Sequence, residues 1–186
     1  RTCKLQIDVT KYTHSQLNHQ LSSELPPDLT LFNKNRSRIV ELLLVLDNFE
    51  LAYQIINEFR LSSLPIYLNA LSRISLNKET KKLNGLLSNI EPTIGKSEWD
   101  EILLTIVKIY VFDLGDKRSA GSFITNMAFP ENKVEGYIIA DQYKYAYLEA
   151  AQNRNFELIE YIKSRAEEAQ KIKIVEHCRN FLEENK

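Results

Sequence analysis

The sequence contains few of the residues that interrupt regular structure. Glycine and proline each occur only 5 times in 186 residues, too few for the many tight turns of an all-β fold. No run of about 18 or more uncharged apolar residues is present, so no transmembrane helix is predicted. The first residues also lack the apolar core of a signal peptide. These absences favour a chain of long helices joined by short connections.

Cysteine and net charge are low as well. The 2 cysteines, Cys3 and Cys178, lie at opposite ends of the chain, which is a poor disulfide framework and fits a reducing cytosol. A formal net charge of −1 argues against a general electrostatic hold on nucleic acid or anionic lipid. The length predicts one domain, residues 1–186, and the missing initial Met indicates that this domain is part of a longer protein.

The stretch from Lys133 to Lys163 shows the clearest helical pattern. Ala146 and Ala150 lie one helical turn apart and predict a shallow groove into which a second helix settles. A polar turn at 152–155 follows, and apolar residues then recur at steps of three and four. The stretch is therefore predicted to be an antiparallel αα-hairpin.

The same periodicity continues along the chain and predicts, for example, an apolar stripe of Leu64, Leu68, Leu71 and Leu76 on one helix. A first helix runs from Leu5 to about Leu21 and is followed by a loop to Asn33. Helix starts are predicted from capping residues, with Asp47 and Glu50 forming a capping box, Ser62 or Ser63 capping the next helix and Asn77 the one after it. The last helix is apolar on one side only, as expected where a helical stack ends against water. The count is about eleven helices.

A faint repeat relates the two halves. Asn48-Phe49-Glu50-Leu51 recurs as Asn155-Phe156-Glu157-Leu158, each time just after a predicted turn between helices, and such turns are roughly 35 residues apart. That pitch is typical of stacked helix pairs of the tetratricopeptide class, although the full signature of that class is absent. We therefore predict an all-α fold, an irregular α-solenoid of stacked antiparallel helix pairs.

Residues that could carry chemistry have simpler explanations. Gly95-Lys96-Ser97 imitates the end of a phosphate-binding loop, but Ile90 stands where that loop needs glycine, so we interpret the stretch as a helix start. His14 and His19 have approximately the spacing of zinc ligands, but nothing completes the set. Asp113 and Asp116 fall at helix ends, where acidic side chains cap. We predict no enzyme, no cofactor and no metal.

Two groups of residues are candidates for partner binding. Tyr143, Tyr145 and Tyr147 follow one another along the first helix of the central hairpin, and tyrosine is frequent in binding surfaces. Packing in the core is the alternative for these tyrosines. Lys78, Lys81 and Lys82, together with Lys96, form a basic helix face that suits an acidic partner or a lipid headgroup. A solvated helix face is the alternative for the lysines.

Several stretches resemble the C-terminal region of the spastizin family of FYVE-domain proteins. They are KLQIDVTKY from Lys4, LTLFN from Leu29, the segment from Asn132 to Ala140, and YAYLEAA from Tyr145, continuing to Cys178. Order and spacing agree across the chain, with looser similarity at 60–126. The resemblance implies the C-terminal helical domain of a large helical-repeat protein.

The resemblance also implies a function. Members of this family act on late endosomes and lysosomes, in autophagic lysosome reformation and in cytokinesis. Their partners include spatacsin, the fifth adaptor protein complex, and Beclin-type and kinesin proteins. For this chain the resemblance implies a cytoplasmic scaffold peripheral to those organelles, with a midbody or centrosome location as well, and membrane contact only through the rest of the protein. A helical membrane-surface or phosphoinositide-binding module that uses the basic lysine face is the alternative.

Overall fold

All regular structure in the described part of the chain is helical. The computed structural model describes residue 4, residues 7–11 and residues 35–184. These ranges contain eleven helices: α1 (7–11), α2 (Arg36–Val45), α3 (Phe49–Phe59), α4 (Ser63–Leu76), α5 (Thr80–Ile90), α6 (Lys96–Lys108), α7 (Lys117–Thr125), α8 (Pro130–Ile139), α9 (Tyr143–Gln152), α10 (Phe156–Glu168) and α11 (Ile172–Glu184). The predicted all-α fold is confirmed. The predicted loop to Asn33, most of the first helix, and Cys3, His14 and His19 lie outside the described residues.

The chain divides into two compact units, Arg1–Pro92 and Thr93–Lys186. In the first unit α2 packs against α3 and α4, and α4 packs against α5. Helix α2 is buried from Val40 to Val45, as its nearly continuous apolar sequence predicts. The Tyr53 hydroxyl on α3 donates to the Asn89 carbonyl oxygen on α5 at 3.2 Å. The prediction of a single domain stays a prediction.

The second unit is a two-layer stack. Alternate helices contact each other, α6 with α8 and α8 with α10 in one layer, and α9 with α11 in the other. Neighbouring helices pair between the layers through short turns. Consequently the turns α6–α7, α8–α9 and α10–α11 lie at one edge of the unit, and the turns α7–α8 and α9–α10 lie at the opposite edge. The stretch from Lys133 to Lys163 was predicted to be a single αα-hairpin, but it contains parts of three helices, because a turn with left-handed Asp141 separates α8 from α9. The pair α9–α10 forms the predicted hairpin, and Ala146 and Ala150 on α9 are fully buried.

Six turns between helices share one backbone geometry. In each, a non-glycine residue adopts a left-handed conformation, and the amide of the residue after it donates to the carbonyl oxygen five positions earlier. This is the hydrogen bond of a Schellman helix end. The left-handed residues are Asp47, Arg60, Lys78, Asp141, Arg154 and Gln170. Both members of the faint repeat lie in such turns, with the Asn48 and Asn155 side chains accepting from the amides of Leu51 and Leu158.

Two predicted caps and one predicted stripe are corrected. Asn48 caps α3, and Asp47 is instead the left-handed residue of the preceding turn. Asn77 ends α4, and Glu79 precedes α5. The cause is the same in both places, since the turn needs one residue between the end of one helix and the cap of the next. Leu76, assigned to the apolar stripe of α4, is 50% exposed because the buried stripe runs through Ile66, Tyr67, Ala70, Leu71 and Ile74.

Candidate protein-binding surface

The three candidate tyrosines of α9 point to different surroundings. Tyr143 is 8% exposed, and its hydroxyl donates to the Arg165 carbonyl oxygen on α10 at 3.3 Å. Lys171 lies above its ring at 5.8 Å from the centroid. Burial raises the pKa of the Tyr143 hydroxyl. This side chain therefore holds α9 to α10 and offers little surface to a partner.

Tyr147 faces the last helix. Its ring centroid lies 5.9 Å from that of His177 and 6.2 Å from that of Phe181, the latter edge to face. Phe156 at the start of α10 joins the cluster through Phe181 at 5.9 Å. Burial raises the pKa of Tyr147 as well. Tyr147 thus belongs to the packing of α11 on the stack, where aromatic pairs add stability beyond their buried area.

Tyr145 is the most exposed of the three tyrosines. Its side chain is 56% exposed, and its ring stacks on that of Tyr137 on α8 at 5.7 Å between centroids. Leu148, three residues further along the same helix face, is 39% exposed. We call Tyr145, Leu148 and the underlying Tyr137 the Tyr145 surface. Because Tyr137 fixes the Tyr145 ring, a partner would bind this side chain at a small cost in conformational entropy.

A polar rim surrounds the Tyr145 surface. Lys133 on α8 and Glu149 on α9 form an ion pair at 3.7 Å, with both side chains mostly buried. Lys144 and Gln152 are exposed at the two ends of α9. Burial first, and the Glu149 charge second, raise the pKa of Tyr137, so its hydroxyl stays protonated and able to donate. Two exposed apolar side chains inside a polar rim are typical of a small docking surface.

Sequence reasoning missed a second exposed tyrosine, on α10. Tyr161 is 39% exposed, and its hydroxyl donates to Glu135 Oε2 on α8 at 2.6 Å. Partial burial and this hydrogen bond raise the pKa of Tyr161 to about 12. Nothing in the local sequence pairs Tyr161 with Glu135, since they are 26 positions apart. Leu148 was also missed, although its spacing from Tyr145 on one helix face was a usable signal.

The candidate lysines are divided between the two compact units. Lys78, Lys81 and Lys82 belong to the first unit, at the turn between α4 and α5, whereas Lys96 begins α6 in the second unit. Lys78 is the left-handed residue of that turn, and Lys82 pairs with Glu79 at 2.6 Å. Lys81 is exposed. An exposed ion pair of this kind adds little stability, so these side chains stay accessible.

Two carboxylates in the second unit accept hydrogen bonds from backbone amides at the starts of helices. Asp116 caps α7 by accepting from the Ser119 amide at 3.0 Å, as predicted for an acidic residue at a helix end. Glu98 accepts from the Gly95 amide at 3.1 Å, which closes the start of α6 and agrees with the interpretation of Gly95-Lys96-Ser97 as a helix start.

Within the described ranges, no group of three or more His, Cys, Asp and Glu side chains is arranged to hold a metal ion. Of the helices described, none is both long and apolar enough to cross a membrane.

Comparison with known proteins identifies a family and one curated relative. The family model of ZFYVE26-like TPR repeats matches residues 62–183, more than half of the chain. This match supports the interpretation of the chain as a spastizin-related helical region. A protein of Dictyostelium discoideum is 26% identical over 184 residues, which are 98% of this chain and 7% of the relative. The chain thus spans a small part of that relative's length. No solved structure matches the chain significantly.

Proposed function

The chain belongs to the ZFYVE26-like tetratricopeptide-repeat family, and from this membership we propose that it is a scaffold domain that binds a protein partner through the Tyr145 surface. Repeats of this class typically present helix faces to partner proteins and carry no catalytic machinery. The observation that carries the proposal is the half-exposed Tyr145 ring, held in place by Tyr137 and extended by Leu148. Rigid aromatic side chains of this kind contribute strongly to binding.

The cellular role is proposed from the family resemblance. The scaffold acts in endosome and lysosome trafficking, in autophagic lysosome reformation and in cytokinesis, as part of a longer protein of which residues 1–186 form one domain. Its partners are spatacsin-like proteins, subunits of the fifth adaptor complex, and Beclin-type or kinesin proteins. It resides in the cytoplasm at the periphery of late endosomes and lysosomes, and at the midbody or centrosome. Family membership and the scaffold fold support these assignments.

An affinity experiment with matched variants tests the proposal. The chain is immobilised and incubated with cytosol, and each trafficking protein that it captures is then purified and titrated against the chain directly. The test variant replaces both Tyr145 and Leu148 with alanine. We expect its affinity for the partner to fall at least tenfold, because truncation removes two central apolar contacts worth about 1 to 2 kcal/mol each.

The control variant replaces Phe112 and Ile172 with alanine, two exposed apolar side chains elsewhere on the same unit. Circular dichroism and thermal melting establish that both variants keep their helices. Equal affinities for the two folded variants would contradict the Tyr145 surface. Capture of no trafficking protein by the folded wild-type chain would contradict the trafficking role.

A further inference from the structure

A second surface lies at the edge of the second unit where α6–α7, α8–α9 and α10–α11 turn. The Asp141 carboxylate joins all three turns, since Lys171 Nζ lies 2.8 Å from one of its oxygens and Lys117 Nζ lies 3.5 Å from the other. The Gln142 side chain also donates to the Lys117 carbonyl oxygen at 3.0 Å. We call residues 112–118, 140–144 and 170–173 the basic edge.

The charge of this edge differs from that of the opposite edge. The basic edge carries Lys117, Arg118, Lys144, Lys171 and Lys173 against the carboxylates of Asp113, Asp116 and Asp141. Two of those carboxylates are engaged, Asp116 in capping α7 and Asp141 between the two lysines. The opposite edge, residues 95–99, 126–131, 153–157 and 181–184, carries Lys96 and Arg154 against five glutamates. The two edges of the second unit therefore carry net charges of opposite sign, and the charge separation runs along the helix axes.

The two most exposed large apolar side chains in the described ranges lie on the basic edge. Ile172, the first residue of α11, is 74% exposed, and Phe112 is 70% exposed. Phe112 owes its exposure to a π-helical turn at Ile109–Asp113, which extends α6. Ile109, Tyr110 and Val111 of this turn are buried, so the wider turn places Phe112 alone on the solvent side.

We propose that the basic edge docks on an anionic phospholipid surface, with Phe112 and Ile172 entering the headgroup layer. Cationic side chains are attracted to the negative potential of such a surface, and apolar side chains add the favourable transfer of their exposed area out of water. The combination of apolar and basic side chains is specific to this edge, because the exposed aromatic residues of the opposite edge, Phe129 at 40% and Phe156 at 42%, lie among acidic residues. The contact goes beyond the partner-binding role and uses other residues than the Tyr145 surface.

Vesicle flotation tests the proposal with the whole chain. Vesicles of phosphatidylcholine alone are compared with vesicles that also contain phosphatidylserine, at low and at physiological salt. We expect binding to the anionic vesicles that weakens several-fold as salt screens the cations. Replacing Phe112 and Ile172 with alanine should reduce the partition coefficient about tenfold, and Arg118→Glu with Lys173→Glu should reduce it by more than tenfold.

Three controls make the result specific. Arg154→Glu and Phe129→Ala change the opposite edge, and the alanine pair at Tyr145 and Leu148 changes the partner surface, so all three should bind the vesicles as the wild type does. The proposal is overturned if the wild type ignores anionic vesicles at low salt, or if the opposite-edge variants weaken binding equally. It is also overturned if the basic-edge variants lose an acidic protein partner while the wild type shows no vesicle binding.

Discussion

The carboxylate of Asp100 on α6 accepts a hydrogen bond from the backbone amide of Phe129, the residue that precedes α8, at 3.0 Å. The same carboxylate accepts from the Ala128 amide at 2.7 Å and from the Asn132 side chain at 2.8 Å. Asp100 is 1% exposed, so these three donors replace the water that a buried carboxylate would otherwise need. The neighbouring Trp99 indole donates to the Asn126 carbonyl oxygen at 3.2 Å. Together the two side chains fix the turn between α7 and α8.

Replacing Asp100 with alanine should destabilise the second unit by about 2 to 4 kcal/mol, because three donors lose a charged acceptor. Asp100→Asn should lose less, since one oxygen still accepts. Urea denaturation followed by circular dichroism measures both changes. The matched control is Glu101→Ala, an exposed neighbour on the same helix that should alter stability by less than about 0.5 kcal/mol. Equal losses at positions 100 and 101 would contradict the capping role.

The close contact of the central hairpin predicts a steric effect. Ala146 and Ala150 are fully buried, so Ala146→Leu or Ala150→Leu should force the helices apart and cost about 1 to 3 kcal/mol. Lys163→Ala, on the partner helix α10, should be nearly silent. Denaturant midpoints of the three variants provide the measurement. A leucine tolerated at both alanine positions would show that the helices have room between them.

Two helical glycines should respond oppositely to alanine. A Cβ at Gly85 in α5 would meet no atom within 4 Å, so Gly85→Ala should stabilise the protein by about 0.5 to 1 kcal/mol through higher helix propensity. A Cβ at Gly136 in α8 would lie 3.0 Å from Ile124 Cγ1, so crowding should cancel or reverse that gain. Thermal melting compares the two variants. A larger gain at Gly136 than at Gly85 would contradict the close approach of α8 to α7.

Asp141 should titrate abnormally. The hydrogen bond from Lys171 lowers the pKa of Asp141, and the nearby charges of Lys171 and Lys117 lower it further. A lowered folded-state pKa stabilises the fold above the unfolded-state pKa, and this contribution is lost as the pH falls through the folded-state value. Carbon-detected NMR titration should show the pKa rising in Lys171→Met and staying unchanged in Lys173→Met. Identical Asp141 titrations in the wild type and Lys171→Met would exclude the ion pair.

The sequence predicted the helices well because their apolar periodicity is strong. Ala146, Ala150, Ile159 and Ile162 are all fully buried, as their spacing indicated. Phe156, which the same spacing placed on the core-facing side, is instead 42% exposed because it lies in the first turn of α10, at the edge of the unit. The recurrence of Asn-Phe-Glu-Leu identified two turns that share one geometry. Local patterns of this kind are visible because residues three and four positions apart share a helix face.

The caps and the site were harder to predict, for two physical reasons. The left-handed residue at a helix end is usually glycine, which is easy to recognise in a sequence. Here Asp47 and Lys78 adopt that conformation. The helix caps were therefore predicted at Asp47 and Asn77, whereas Asn48 and Glu79 occupy these positions in the structure. Contacts distant in sequence leave no local pattern. Asp100 lies near the start of its own helix, where an acidic side chain usually interacts with the helix terminus, yet its carboxylate accepts hydrogen bonds from residues 28 to 32 positions later. The different surroundings of the three tyrosines likewise depend on contacts distant in sequence, since Tyr143 contacts α10, Tyr145 contacts α8 and Tyr147 contacts α11.

The six turns with a shared backbone geometry have a consequence for how such a domain changes over evolutionary time. Their defining hydrogen bonds join backbone to backbone, and aspartate, lysine, arginine and glutamine all occupy the left-handed position. A substitution at the left-handed position changes the conformational strain of that residue by about 1 kcal/mol and leaves the angle between the helices unchanged. Point mutations can therefore accumulate at the turns without moving any helix, while an insertion or deletion of one residue would shift every helix that follows. Relatives of this domain should differ freely in turn composition and rarely in turn length.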